Sequence, residues 1–119
     1  MRLILNCALS SLTMSHRIAL ADGSVKFLGS RYAARSYRAA ISSYLSYETE
    51  VCIDFAGVAV GTSFVDELVG GLIVAYGSDI IQRLIFQNCD TNTQGLLRYV
   101  VGTRLAEQRR VNAREPYSS

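Results

Sequence analysis

The sequence predicts one α/β domain: a small mixed sheet of about four strands, in the order ββαβαβα, covered by about three helices. Two observations carry this. Short apolar blocks of strand length alternate along the chain with longer segments whose apolar residues recur every three or four positions. One of those blocks, Val51-Cys52-Ile53 running into Asp54 and Phe55, has no polar face, as expected of a strand buried on both sides between parallel neighbours.

The elements follow in order. Arg17 to Ala21 reads as a strand, Asp22-Gly23 as a tight turn, and Val25 to Leu28 as the hairpin partner. Ser30 can cap a helix over Arg31 to about Leu45, where Ala34, Tyr37, Ile41, Tyr44 and Leu45 form one apolar stripe. After the strand Val51 to Phe55, Thr62 or Ser63 starts a second helix. Its wide apolar face holds Phe64, Val65, Leu68, Val69, Leu72, Ile73 and Tyr76, and Asp66 and Glu67 lie near its positive end. Gly70-Gly71 inside that helix costs roughly 1 kcal/mol per residue against alanine, a cost that close packing on the sheet would explain. Arg83 to Gln87 is a further strand. Asp90 or Thr91 then caps a third helix built on Leu96, Leu97, Val100, Val101 and Leu105.

Residues 17–108 therefore form the domain, with a polar tail at 109–119. Residues 1–16 are either an extension or an added edge strand over Leu3 to Leu9, and Met14 is an alternative start. The apolar block after Arg2 is short and interrupted for a signal peptide, and no uncharged stretch reaches the length of a spanning helix. No membrane association is expected. Half of the 119 residues are apolar and 18% are charged, which excludes a disordered chain; a net charge of +2 is too small to indicate nucleic acid by itself. Cys7, Cys52 and Cys89 form no CxxC pair, which suits a reducing, cytoplasmic setting, with Cys52 and Cys89 as buried apolar residues.

No enzyme motif assembles. His16 has no partner at triad or metal-ligand spacing, and neither a GxGxxG nor a P-loop pattern occurs, so no cofactor is expected. Asp66 and Glu67, as neighbours on a helix, point about 100° apart and do not share one proton. Arg31, Arg35 and Arg38 fall on one helix face in a stretch without acids. In a chain with eleven arginines and one lysine, that row is either a solvated face or, with Ser30, a site for phosphate, nucleic acid or an acidic partner.

The most informative stretch is Asp54-Phe55-Ala56-Gly57-Val58 followed by Ser63-Phe64-Val65-Asp66-Glu67-Leu68: a strand end that leads into a helix start, the edge of α/β sheets where partners dock. With Gly29-Ser30-Arg31 before it and Asn88 after it, this order resembles a bacterial and phage family of STAS-like domains, related to the anti-sigma factor antagonists, over about Arg17 to Gln108. In typical STAS domains the first serine of an Asp-Ser-Ser-Gly helix start is phosphorylated, and Ser63 falls at that position. Thr62 stands where those domains have the aspartate, and Phe64 where they have the second serine. The resemblance implies a regulatory interaction module without enzymatic activity. Its partner would be an ATP-binding protein of the histidine-kinase-like type, contacted through Asp54, Thr62, Ser63, Asp66, Glu67 and Asn88. On the residues alone, Ser63 is either a helix cap or the phosphoacceptor. The alternative functions are phosphate-ligand or nucleic-acid binding by the arginine face, or a structural subunit of a larger assembly, for which a homo-oligomer is one form.

Overall fold

Val51, Cys52 and Ile53 need apolar cover on both faces and a strand on both edges, and the fold supplies both. The computed structural model describes residues 15–21, 25–46 and 50–114. In it β1 (Ser15–Ala19), β3 (Glu50–Asp54) and β5 (Leu84–Gln87) form a parallel sheet in the order β1-β3-β5, with β3 in the centre. Two short strands, β2 (Phe27–Leu28) and β4 (Ala59–Val60), pair in parallel as a separate small sheet. The helices are α1 (Arg31–Leu45), then α2 (Thr62–Val65), a π turn (Asp66–Gly70) and α3 (Gly71–Tyr76) in one run over 62–76, and α4 (Thr91–Arg114). A 3-10 helix, Ser78–Arg83, precedes β5.

The α/β class and the central place of Val51 to Asp54 agree with the sequence reading, but the predicted hairpin does not form. β1 pairs with β3, in register from Ser15 opposite Glu50 to Ala19 opposite Asp54, while β2 pairs with β4. A hairpin would have left one edge of β3 without hydrogen-bond partners in the middle of the molecule. Both sheets are thus parallel rather than mixed, and there are five described strands instead of about four. The Asp22-Gly23 turn, the Leu3 to Leu9 strand, Met14, Cys7, the side chain of His16 and the residues after Arg114 lie outside the described residues.

Packing follows the apolar stripes. Ala34, Ile41 and Leu45 of α1, Phe64, Val65, Leu68, Val69, Leu72 and Ile73 of the second run, and Leu97, Val100, Val101 and Leu105 of α4 are all buried. Tyr76, expected in that core, is half-exposed, and its hydroxyl meets Ser42 Oγ; the polar tip of the phenol keeps it at the surface. Ser30 caps α1 as expected, its Oγ accepting from the Ala33 N–H at 3.0 Å, and Asp90 caps α4, its Oδ1 accepting from the Thr93 N–H at 2.7 Å. At the other end of α1 the Arg83 guanidinium donates to the Leu45 carbonyl at 2.6 Å, where a cation offsets the negative end of the helix. α4 continues to Arg114, so the first residues of the polar segment are helical. Among the described residues no helix is long and apolar enough to cross a membrane.

Cys52 and Cys89 are buried, as their apolar surroundings suggest. Burial, reinforced by Asp90, Asp54 and Cys52, pushes the Cys89 thiol up to about 12. At pH 8 roughly one part in ten thousand is then thiolate. Iodoacetamide at pH 8 should leave Cys89 unmodified in the folded protein and label it after unfolding in guanidinium, which peptide mass spectrometry would resolve.

Candidate functional site

The site begins with two β–α units placed side by side. β2 passes through Gly29 and Ser30 into α1, and β4 passes through Gly61 into α2. Because β2 and β4 are parallel and paired, both helices start at the same end of the small sheet. Between them lies a cleft of about 550 Å³ lined by Phe27, Ser30, Ala33, Gly61, Thr62 and Ser63, among others. The Phe27 ring, 61% exposed, lies across Gly29 and Gly61, and a Cβ at those positions would stand 3.0 and 3.2 Å from Phe27 Cζ. The two glycines let the ring lie over them, and a side chain at either would displace it.

Ser63 faces this cleft and is exposed, and it is not the helix cap. The cap position is Gly61, which offers no side chain, and Ser63 comes two residues later. Neither the Thr62 nor the Ser63 hydroxyl has a hydrogen-bond partner among the described residues, so the cap reading of Ser63 is set aside. The error was one of register: β4 places the chain reversal at Gly61, where the sequence had no strand.

Asp66 and Glu67 are held by arginines from two other helices. Asp66 accepts from Arg31 Nη1 at 2.9 Å and from Arg104 Nε and Nη2 at 3.1 and 2.9 Å. Glu67 accepts from Arg38 Nη1 at 2.6 Å, with Arg31 and Arg35 at 3.7 and 3.8 Å. The roughly 100° between adjacent helical positions leaves Asp66 between Arg31 of α1 and Arg104 of α4, and turns Glu67 towards the arginines of α1. The acids and the arginine row, considered separately in the sequence, are therefore one network, with Arg31 and Arg38 hydrogen-bonded into it and Arg35 at its margin. Burial raises the Asp66 carboxyl, and the hydrogen bonds and charges of Arg104 and Arg31 outweigh it, leaving the group below its ordinary value.

The π turn and the glycine pair belong to the same arrangement. The Gly71 N–H bonds the Asp66 carbonyl five residues back, which widens the helix at the two acids. Gly70 and Gly71 do not pack on the sheet: a Cβ at Gly70 would stand 2.9 Å from Arg104 Nε, and one at Gly71 2.9 Å from Arg38 Cδ. The pair makes room for two arginine side chains crossing the helix. Gly71→Ala should therefore stabilise the Arg38→Ala variant by about 1 kcal/mol through helix propensity, and wild type by clearly less because Arg38 must move. Urea unfolding of the four proteins of this cycle measures the difference.

Asp54 ends β3 with only 5% of its surface exposed. It accepts from Arg17 through Nε at 3.1 Å and through Nη2, from the Ala56 N–H at 3.0 Å and from Asn88 Nδ2 at 2.8 Å. Burial raises this carboxyl, but Arg17, Asn88 and Ala56 together hold it below its ordinary value. Asn88 adopts a left-handed backbone at φ 59°, a conformation asparagine tolerates, and this turns its amide back onto Asp54. Asp54 and Asn88, both expected to contact a partner, tie β1, β3 and the end of β5 together, with Asp54 buried and Asn88 exposed.

A match to the family described as STAS-like domain of unknown function (DUF4325) spans residues 35–94, just over half of the chain. The chain belongs to this STAS-like family. No curated protein and no solved structure matches it. Three of the four motifs, at Asp54, at Ser63 and at Asn88, lie inside the matched region of the STAS-like domain, and Gly29-Ser30-Arg31 lies before it.

Sequence reasoning missed Arg104, Arg17 and Phe27 as parts of the site. Arg104 lies on the polar side of a predicted helix and Arg17 in a predicted strand, and nothing local pairs either with an acid 37 or 38 positions away. A second cleft, of about 250 Å³, runs from Arg31 and Thr62 past Asp66 to Tyr99 and Arg104, so Thr62 borders both clefts. Tyr99 is 65% exposed, as is Tyr32 beside Arg31 at 83%. Among the described residues no three His, Cys, Asp or Glu side chains gather to hold a metal ion.

Proposed function

We propose that this STAS-like domain is a non-enzymatic regulatory interaction module. Its partner docks over the cleft at the starts of α1 and α2, and phosphorylation of Ser63 sets whether it binds. One observation carries the reading: Ser63 presents an exposed hydroxyl at the cleft, next to a helix start that another residue caps, with no structural hydrogen bond to make. A phosphoryl group there would lie at the positive end of the helix and bring about two negative charges within one turn of Asp66. Exposed Phe27 and Tyr99, one in each cleft, supply the aromatic anchors typical of protein interfaces.

The carboxylates and the thiol favour binding over catalysis. Asp54 has its oxygens engaged in hydrogen bonds, Asp66 and Glu67 are ion-paired, and Cys89 is protonated. From the resemblance to anti-sigma factor antagonists, the expected partner is a cytoplasmic ATP-binding protein of the histidine-kinase-like type, with ATP bound to the partner.

The test is cross-linked purification of the tagged protein from its native host, with wild type beside Thr62→Arg, and mass spectrometry of both the retained proteins and Ser63. The reading expects a protein retained by wild type and lost with Thr62→Arg, together with a phosphorylated Ser63 peptide. An identical set of retained proteins for both chains overturns it.

A further inference from the structure

We infer that the groove between α1 and α3 is a second docking site, for an acidic segment of a partner protein. A carboxylate of that segment pairs with Arg35, and an adjoining apolar side chain lies against Ala39 and Ala75. The groove holds about 250 Å³ and is lined by Arg35, Arg38, Ala39 and Ser42 from α1 and by Leu72, Ala75 and Tyr76 from α3. It is separate from the Ser63 cleft, with which it shares no lining residue.

Charge is the first argument. Three arginines of α1 converge on one carboxylate, Glu67, and their engagement is unequal. Arg38 holds Glu67 closely and also donates to its main-chain carbonyl at 3.2 Å, while Arg31 is committed to Asp66. Arg35 reaches Glu67 only at 3.8 Å and is 61% exposed, so most of its five donors face water. Neither α1 nor α3 contains an acidic residue. The groove thus carries one guanidinium that is only loosely paired, in a fork geometry that suits a second carboxylate.

The lining is the second argument. Exposed Ala39 and Ala75 make a shallow apolar surface beside the guanidinium, with buried Leu72 as its floor and the bonded hydroxyls of Ser42 and Tyr76 at its edge. A protein segment with an acid next to an apolar residue meets both parts, giving an apolar centre and a charged rim. A nucleic-acid backbone would meet one under-engaged guanidinium and an apolar surface with nothing to bind, on a chain of net charge +2.

The test pans a random peptide phage library on the immobilised full chain and measures the enriched peptides, resynthesised with a fluorophore, by anisotropy. Peptides pairing an acid with an apolar residue should be enriched. Arg35→Glu, and Ala39→Arg, which fills the groove, should each weaken them by about tenfold or more. Arg35→Ala, a change at a largely exposed side chain, keeps the test valid if the charge reversal disturbs folding. Ser63→Asp should leave these affinities unchanged, so that failure of the Ser63 reading and failure of this one are told apart. Enriched peptides without acids, wild-type affinity for Arg35→Ala, or loss of binding with Ser63→Asp would overturn the inference. So would a labelled DNA duplex that binds wild type and not Arg35→Ala while no peptide is enriched.

Discussion

Ser63→Asp is expected to reduce retention of the docked partner by about tenfold or more, equivalent to ~1.4 kcal/mol, while the melting temperature stays close to wild type. Stability is spared because a carboxylate in the first turn is favoured by the positive end of the helix. Binding suffers because the new charge stands at the cleft, three residues before Asp66 and on the same helix face. Ser63→Ala is the companion. With Gly61 at the cap position, removing this hydroxyl should change the unfolding free energy by no more than about 0.5 kcal/mol and leave the partner bound. Quantitative retention of the cross-linked partner, read beside thermal melts of all three proteins, checks both parts. Equal retention by Ser63→Asp and wild type would remove Ser63 from any switching role.

Asp54→Ala should cost about 2 kcal/mol of stability. The substitution removes the charge-assisted hydrogen bonds that the buried carboxylate accepts from Arg17, the Ala56 N–H and the Asn88 amide, while Arg17, Ala56 and Asn88, all exposed, turn to water. The effect also depends on pH. The folded Asp54 carboxyl lies below its unfolded value of 3.8, so its contribution is complete above that value and is lost as the pH falls through it towards the lower folded value. Asp54→Asn removes this dependence while keeping the shape. Between pH 7 and pH 3 wild type should therefore lose more stability than Asp54→Asn, since the depressed carboxyls of Asp66 and Asp90 act alike in both proteins. Thermal melts at the two pH values measure the difference, and parallel losses would place the stabilising charge elsewhere.

These two residues illustrate how far the sequence reaches. Ser63 and Asp54 were both legible as members of two successive motifs, and the family match spans both. Their roles were not. The motifs mark the end of one strand and the start of one helix; whether a carboxylate there faces a partner or the interior depends on Arg17 and Asn88, 37 and 34 residues away. The arginine row shows the same limit. Helical spacing placed Arg31, Arg35 and Arg38 on one face, and Asp66-Glu67 on another helix, but the angle and distance between two helices are not local properties.

What the sequence determined by itself is what periodicity and caps encode: the α/β class, the bounds of α1, the buried central strand at Val51 to Asp54, and the apolar stripes of the helices. These depend on spacing along the chain and on side chains within a few residues, so they are readable without a partner segment. The tertiary structure alone decided that β1 joins β3 rather than β2, that Gly61 and not Ser63 caps the second helical run, and that Gly70-Gly71 admits arginines from α1 and α4. Each of these rests on pairing between residues far apart in the chain: satisfying both edges of a buried strand, and neutralising two partly buried carboxylates, requires groups that no local pattern identifies.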